Sequence, residues 1–177
     1  MVITHENLIV LLNMDLELEE AAALQYVNHA AMLTGAAYRH VSMTLRAFAY
    51  RKIRHAMTLA EAIHYLGGCP TLRVGNVHTS EYNEDMLVCD FDDEQDAVRR
   101  YKVRIEQAEQ LKEIALAKHL WAILRTEQQH VMYIKKQLSD RAHQDEKSTL
   151  DINDACDLVK NWAQRASQVP VRIKRQN

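Results

Sequence analysis

Four long stretches of the chain carry apolar residues at the spacing of an α-helix, and this pattern constrains the fold more than any other feature. The stretches cover about residues 5–34, 36–66, 87–108 and 120–138. Only 4 glycines and 2 prolines occur among 177 residues, whereas an all-β sandwich or barrel needs turn residues at regular intervals. The sequence therefore predicts an all-α protein built from long helices.

The connection between the second and third helices decides the topology. Gly67, Gly68 and Pro70 end the second stretch, and a segment over about residues 67–80 follows. Its 14 residues reach at most about 46–50 Å when extended, whereas a helix of about 27 residues is about 40 Å long. The segment can therefore cross the whole bundle. We expect two helical hairpins joined by one long crossover, in a four-helix bundle.

The bundle is expected to occupy residues 1–140, and residues 141–177 are expected to form a short C-terminal helix and a basic tail. Apolar residues share one face over residues 151–166, which predicts the short helix. The tail contains Arg172, Lys174 and Arg175. We interpret it as a solvated tail, with a contact to nucleic acid as the less favoured reading.

Charge and cysteine usage narrow the class of protein. Lys and Arg number 22 and Asp and Glu 24, so a net charge of -2 gives no overall attraction to nucleic acid. The three cysteines, Cys69, Cys89 and Cys156, are far apart and odd in number, which is typical of free thiols in a reducing compartment. No stretch reaches the ~18 apolar residues of a membrane span. The sequence therefore predicts a cytoplasmic protein that does not span a membrane.

Polar residues interrupt the four apolar stripes at the same intervals in both hairpins. In each hairpin, a polar residue on the first helix is followed by another after 33 residues and by a histidine after 36. The positions are Glu19, Lys52 and His55 in the first hairpin and Glu94, Glu127 and His130 in the second. The second helix of each hairpin thus carries a pair at i, i+3 on one face, so we expect the six side chains to converge inside the bundle.

Carboxylates and imidazoles that converge in this way are suitable ligands for iron or manganese. A single buried Glu or His is more often a hydrogen-bonded core residue. Three carboxylates and two histidines in one core are costly without cations, because an uncompensated buried charge costs several kcal/mol. The duplicated spacing therefore predicts a metal site. Its predicted ligands are Glu19, His55, Glu94, Glu127 and His130.

These residues and their neighbours resemble bacterioferritin and its ferritin-like relatives over about residues 5–140. The likeness is carried by Leu18-Glu19, Leu24-Gln25-Tyr26, His55-Ala56, Leu66-Gly67-Gly68-Cys69-Pro70, Glu94 and Glu127-Gln128-Gln129-His130. It implies a ferritin-like four-helix bundle that binds iron and oxidises ferrous iron with oxygen or peroxide. The family often assembles into a cage of many subunits, which implies a homo-oligomer.

The resemblance also implies a role for each matching residue. Glu19 and His55 would bind one ion, and Glu94 and His130 the other. Glu127 would bridge the two ions. Tyr26, seven residues after Glu19, resembles a family tyrosine near the metals that can donate an electron. Packing in the core with a bonded hydroxyl is the alternative for Tyr26.

Lys52 departs from the family pattern, which has a second bridging glutamate three residues before the first histidine. Three carboxylates and one ammonium give the set a formal charge of -2, instead of -4 for four carboxylates. An ammonium ~4 Å from a divalent ion would be opposed by about 8 kcal/mol at an effective dielectric near 20. Lys52 must therefore lose its proton, swing away, or take the place of one ion and pair with Glu19 or Glu127.

The charge argument leads to the hypothesis of one tightly held iron ion beside Lys52, rather than two. The proposed ligands are Glu94, Glu127 and His130, with Glu19 or His55 available. Manganese and zinc are the alternative metals. The haem-binding relatives have a methionine where this chain has Ile53, which argues against haem.

The leading functional prediction is bacterioferritin-like iron handling with ferroxidase-type chemistry, in which Tyr26 and Lys52 are the candidate catalytic residues. No Asp or Glu occurs from Ala21 to Ala60, whereas iron-storing cages usually have acidic surfaces, so bulk storage is not implied. One alternative is a metal-dependent oxidase of a small molecule, with a neutral Lys52 as ligand, base or reactive amine. The other is a non-catalytic assembly protein that uses Lys52 as a counter-ion in a degenerate metal site.

Overall fold

The computed structural model describes residues 3–166, and side chains are described for residues 3–141. It contains the helices α1 (His5–Met32), α2 (Arg39–Tyr65), α3 (Asn83–Gln110) and α4 (Ile114–Ala166), and no strand occurs among the described residues. A short 3₁₀ helix, Ala36–Tyr38, lies between α1 and α2. The all-α prediction is confirmed. Every helix in this part of the chain is too short or too polar to cross a lipid bilayer.

The chain divides into two compact units between Leu138 and Ser139. The first unit contains α1, α2, α3 and the beginning of α4. In the second unit, residues 151–166 are helical as predicted, but they belong to α4 instead of forming a separate short helix. The basic tail, with Arg172, Lys174 and Arg175, lies outside the described residues. The predicted division into a bundle and a C-terminal extension stays a prediction.

Two clusters of buried apolar residues form the core of the first unit, and each draws on all four helices. The largest members of one are Leu8, Leu12, Leu59, Ile63, Tyr101, Leu120 and Leu124. Those of the other are Tyr26, Leu45, Phe48, Leu87 and Ile134. Burial of each such side chain contributes roughly 1.5–3 kcal/mol. The two clusters together stabilise the four-helix arrangement.

The polar residues that interrupt the stripes lie between these clusters along the helices. On α1, Glu19 comes after Leu16 of one cluster and before Tyr26 of the other. On α4, Glu127 lies between Leu124 and Ile134 in the same way. A polar layer is therefore enclosed between two apolar layers along the helices.

The end of α2 depends on a glycine in the left-handed region. Gly67 has a φ of 82°, a backbone conformation that side-chain-bearing residues rarely adopt. The following amide, of Gly68, donates to the carbonyl of Ile63 at 2.9 Å and so satisfies one of the last carbonyls of the helix. The chain leaves α2 here, at the point that the sequence predicted.

The crossover over residues 66–82 lies along α1 and connects the two hairpins, as predicted. Thr71 N donates to Asn13 Oδ1 at 2.7 Å, and Gly75 N donates to the carbonyl of Glu17 at 2.9 Å. Farther on, His78 N donates to the Gln25 side chain at 2.7 Å. These contacts follow α1 in sequence order, so the crossover traverses the bundle beside this helix.

Candidate metal centre

The structure brings together all six of the polar residues that share the duplicated spacing. Each is almost fully buried, with His55 the most exposed at 8%. The six are Glu19 from α1, Lys52 and His55 from α2, Glu94 from α3, and Glu127 and His130 from α4. Because each pair on α2 and α4 is spaced i, i+3, one helical face presents both of its members to the same interior point.

Lys52 occupies the middle of this group. Its Nζ lies 2.6 Å from Glu127 Oε2, 3.0 Å from Glu94 Oε1 and 3.7 Å from Glu19 Oε2. Of the three outcomes open to Lys52, the structure shows the one in which the ammonium pairs with the carboxylates, and Glu94 joins the two predicted partners. Burial lowers the pKa of Lys52, but the three carboxylates outweigh it and raise the pKa above its usual value. The amine is therefore held in its charged form.

The first set of metal-ligating atoms comes from Glu19, His55 and Glu127. His55 Nδ1 lies 3.3 Å from Glu19 Oε2 and 2.8 Å from Glu127 Oε1. All three residues are buried, and their ligating atoms face one another.

The second set comes from Glu94, Glu127 and His130, so Glu127 belongs to both. His130 Nδ1 lies 3.2 Å from Glu94 Oε1 and 3.3 Å from Glu127 Oε2. These two oxygens are also the ones closest to the ammonium of Lys52. The ammonium therefore lies closer to the second set than to the first.

The donor atoms fit a metal ion in both type and spacing. Carboxylate oxygens and imidazole nitrogens bind iron, manganese and zinc. Ligands about 2.1 Å from a metal and at right angles are about 3.0 Å apart, close to the 2.8–3.3 Å separations around His55 Nδ1 and His130 Nδ1. In addition, Glu127 Oε1 is buried without a hydrogen-bond donor in good geometry, although His55 Nδ1 is near. A buried acceptor of this kind is suited to a cation.

Two tyrosines donate hydrogen bonds to the carboxylates of Glu94 and Glu19. Tyr26 on α1 donates a short hydrogen bond to Glu94 Oε1 on α3. Tyr101 on α3 donates to Glu19 Oε1 on α1 at 2.8 Å. Burial, followed by nearby carboxylates, raises the pKa of both phenols well above the usual value, so both remain donors. Tyr26 was singled out from the sequence, whereas Tyr101 lies within the third apolar stretch and was given no role.

The missed tyrosine belongs to an internal repeat with an offset of 75 residues. This offset relates Glu19 to Glu94 and Tyr26 to Tyr101. It also relates two buried ion pairs that flank the centre. They are Asp15–Arg104, with 2.6 Å between Oδ2 and Nε, and Asp90–His29, with 2.9 Å between Oδ1 and Nδ1. Each contact joins α1 to α3, so the two hairpins cross-link each other by an approximate two-fold relationship that the offset encodes.

The titration of the centre reflects burial in competition with neighbouring charges. Burial lowers the pKa of His55, but contacts with Glu127 and Glu19 outweigh it and raise the pKa to about 9. Burial and the charge of Glu127 raise the pKa of Glu94 to about 7. Burial also tends to raise the pKa of Glu127. The charge of Lys52 and the hydrogen-bond partners of Glu127 reverse this and hold its pKa well below the ordinary value. Without metal, the centre therefore balances its charge with protons.

A cavity of about 260 Å³ leads from the crossover side of the bundle to the centre. Its outer wall carries polar side chains from α3 and the crossover: Asn76, His78, Asp93, Asp96 and Arg100. Glu19, Lys52 and Glu94 line its inner part. The cavity thus places additional acidic groups between solvent and the buried carboxylates.

The fold and the centre define a class of protein: a bundle of two helical hairpins with a long crossover, whose core collects carboxylates and i, i+3 Glu/His pairs. The model of the family described as "Ferritin-like domain" matches residues 9–142. The chain therefore belongs to the ferritin-like family, and the predicted ferritin-like bundle is confirmed.

Individual relatives agree with this assignment. The chain is 30% identical to the bacterioferritin of Streptomyces coelicolor over 128 residues, which are 72% of this chain and 77% of that protein. It is 27% identical to bacterioferritin BfrA of Mycobacterium tuberculosis over 129 residues, 72% and 81% of the two chains. A crystal structure described as ferritin like, diiron-carboxylate proteins, from Bacillus anthracis, superimposes with a TM-score of 0.73 and 32% identity. The match covers 76% of this chain and 96% of that one.

Proposed function

We propose that the protein binds iron in the core of its bundle and oxidises ferrous iron there with oxygen or peroxide. The observation that carries the proposal is the pair of buried carboxylate–histidine sets that share Glu127. The relatives named bacterioferritin and the diiron-carboxylate structure support iron as the metal. Manganese and zinc suit the same donors and are tested with iron by metal analysis.

Lys52 decides how many ions bind, and which set binds first. Its ammonium is 2.6 Å and 3.0 Å from oxygens of the Glu94–Glu127–His130 set but 3.7 Å from Glu19. One tightly held ion would therefore occupy the Glu19–His55–Glu127 set, which meets less repulsion from the ammonium. The set preferred from the sequence, on Glu94 and His130, is the second candidate for this ion.

The residues of the centre have distinct roles in this proposal. Ferrous iron, when bound as substrate, would give up one electron per ion and become ferric. Reduction of oxygen to peroxide, or of peroxide to water, takes two electrons and two protons. Glu19, His55 and Glu127 would hold the ion, and His55 must release its Nδ1 proton before that nitrogen can act as a ligand. Lys52 keeps its proton and neutralises the remaining oxygens. Tyr26 retains its O–H beside Glu94, where it can supply a hydrogen atom to the centre.

The test is to load metal-free protein anaerobically with ferrous iron, remove unbound iron, and measure iron per chain before adding oxygen or peroxide. Wild-type protein should retain about one ion and form ferric iron when the oxidant is added. Glu127→Gln should lose both properties, because Glu127 serves both sets. Glu61→Gln is the matched control, since Glu61 is an exposed acid on α2. A wild-type protein that retains no iron, manganese or zinc contradicts the proposal.

A second candidate function is a non-catalytic assembly protein in which Lys52 replaces the metal. It is favoured by the contact of one ammonium with all three carboxylates. Metal that binds the folded state raises the melting temperature, so an unchanged melting temperature with iron present would favour this candidate. The small-molecule oxidase is less well supported, because it needs a neutral Lys52 and the carboxylates favour the charged form.

We also propose that the protein forms a homo-oligomer. Exposed apolar side chains on α1 and α2 line a shared groove of about 420 Å³. They include Leu24, Val27, Tyr50 and Ile53, which are 48–75% exposed. Apolar surface of this kind is typical of protein interfaces. Light scattering after size-exclusion chromatography tests this proposal, and a monomeric mass contradicts it.

A further inference from the structure

A second cavity, of about 250 Å³, opens between α2 and α4. Its polar lining consists of Arg51, Arg54, His55, Thr58, His119 and Thr126. His55 connects it to the centre, because Nδ1 of the ring faces Glu19 and Glu127 while the ring also lines this cavity. The first cavity carries aspartates and glutamates, whereas no carboxylate lines the second. The lining of the first cavity is thus mainly acidic and that of the second is basic, and both cavities reach the centre.

The basic character of the second cavity extends to both helices that form it. The whole of α2 contains one acid, Glu61, and residues 114–126 of α4 contain none. Among the side chains that the structure describes, neither Arg51 nor Arg54 has a carboxylate within ion-pair distance. By contrast, Arg100 and Arg104 on α3 both pair with Asp15. The two arginines of the cavity therefore carry charge that the described part of the chain does not compensate.

The two guanidinium groups are also placed to act together. Arg51 and Arg54 are spaced i, i+3, so they lie on one face of α2, one turn apart. Arg51 lies over the ring of Phe48, 5.6 Å from its centroid, and this ring stacks on His130 at 3.8 Å. A cation–π contact of this kind restricts the guanidinium without using its hydrogen-bond donors. Arg51 thus keeps donors available to a ligand in the cavity, and among the described side chains the Arg54 guanidinium has no hydrogen-bond or ion-pair partner.

We propose that this cavity binds a small tetrahedral oxyanion of the phosphate class. Guanidinium groups have a planar fork of donors that matches phosphate oxygens in pairs, and they remain charged at any ordinary pH. The volume is below the roughly 300–1,000 Å³ of pockets for drug-sized ligands, which favours a small ion. Arg51 and Arg54 bind the anion, and His55 and His119 lie beside it. The site requires no metal, so it does not depend on the proposed iron chemistry.

The experiment is calorimetric titration of the metal-free, full-length protein with inorganic phosphate in a chloride-containing buffer free of other oxyanions. We expect saturable binding of one phosphate per chain, and competition by sulfate. Arg51→Gln and Arg54→Gln should each weaken it at least about tenfold, because each removes a charged hydrogen bond. The phosphate affinity of Arg54→Lys should fall between those of the wild type and Arg54→Gln, since lysine keeps the charge but lacks the planar fork of donors.

Arg39→Gln is the control, because Arg39 is an exposed arginine of the same helix and lines neither of the two cavities nor the apolar groove. It should bind phosphate as the wild type does, and circular dichroism should show that every variant folds. Absence of saturable binding to the wild type overturns the proposal. Equal weakening by Arg39→Gln also overturns it, since that result indicates general attraction to basic surface. If the wild type binds no phosphate and the Arg51 and Arg54 variants have an altered oligomeric mass, the cavity is a protein interface instead.

Discussion

Lys52 Nζ lies 2.6 Å from Glu127 Oε2, and both side chains are almost completely removed from solvent. A buried ion pair of this kind is costly to break, because either partner alone is an uncompensated charge. The same carboxylate is the only residue common to both metal-ligating sets. A metal ion bound at either set would therefore compete with Lys52 for Glu127.

Replacement of Lys52 by glutamate should increase metal binding. Lys52→Glu removes the competing ammonium and adds a carboxylate, which changes the formal charge of the set from -2 to -4. We expect two ions per chain instead of one after iron loading, measured by metal analysis of the desalted protein. Without metal, the variant should lose about 3–5 kcal/mol of stability, because four carboxylates would then converge with no buried lysine.

Lys52→Met separates the two effects of that substitution. It removes the positive charge but adds no ligand, so it should bind one ion more tightly than wild type and should not gain a second. If Lys52→Glu and Lys52→Met bind the same amount of iron, the new carboxylate is not a ligand. If neither differs from wild type, repulsion by Lys52 does not limit metal binding.

The metal-free protein should lose stability as pH rises from about 6.5 to about 9. The pKa of His55 is about 9 when folded, above the ordinary value of about 6.5. A group that holds its proton more tightly in the folded state stabilises fully below the lower value, and this contribution is lost as pH rises through the folded pKa. The loss should be about 3 kcal/mol at most. Denaturant titrations of metal-free protein across this pH range measure it.

His55→Gln should reduce the loss of stability over this pH range, because the substituted side chain does not titrate, while Glu94 and His130, whose pKa values are also raised, still contribute. Iron should show the opposite dependence in wild-type protein, binding more tightly at higher pH as fewer protons compete for the ligand nitrogen. A metal-free stability that rises between these pH values would contradict the assigned direction of the His55 shift.

The helices and the six residues of the centre could be predicted because both depend on periodicity alone. The helical repeat set the apolar faces, and the i, i+3 spacing set the inward direction of Glu127 and His130. The position of the Lys52 ammonium could not be predicted, since the flexible lysine side chain can pair with any of three carboxylates. No glycine or proline occurs in residues 139–166, so no residue there is a strong helix breaker, and α4 continues through this segment.

The role of Tyr101 could have been predicted from the sequence, but a tyrosine in an apolar stripe does not by itself indicate one. Tyrosine fits an apolar stripe, so it attracts no notice unless the 75-residue offset is extended from the acids and histidines to their neighbours. The same extension identifies Asp15 with Asp90 and His29 with Arg104. The repeat could thus have predicted these four cross-links between α1 and α3, whereas reasoning from single residues singled out Glu19, Tyr26 and Glu94 without pairing them.

Tyr26→Phe and Tyr101→Phe form a matched pair that tests electron donation by Tyr26. Each removes a hydroxyl that bonds a glutamate of the centre, so each should cost about 1.5–3 kcal/mol of stability. If Tyr26 donates the electron, Tyr26→Phe abolishes a tyrosyl radical signal during ferrous oxidation and Tyr101→Phe retains it. Electron paramagnetic resonance of rapidly frozen samples makes the comparison. Equal radical signals in both variants would leave Tyr26 with a packing role only.

The two ion pairs that flank the centre should differ in energetic importance despite their related positions. Asp15→Asn leaves Arg104, which is 5% exposed, without its carboxylate, and a guanidinium cannot release its proton to become neutral. Asp90→Asn leaves His29, whose imidazole is stable in the neutral form. We therefore expect a loss of about 3–5 kcal/mol for Asp15→Asn and a smaller loss for Asp90→Asn, measured by denaturant unfolding. Iron content per folded chain should stay unchanged in Asp15→Asn, because Asp15 contacts none of the proposed ligands. Equal destabilisation by the two substitutions would contradict the expected difference between the two pairs.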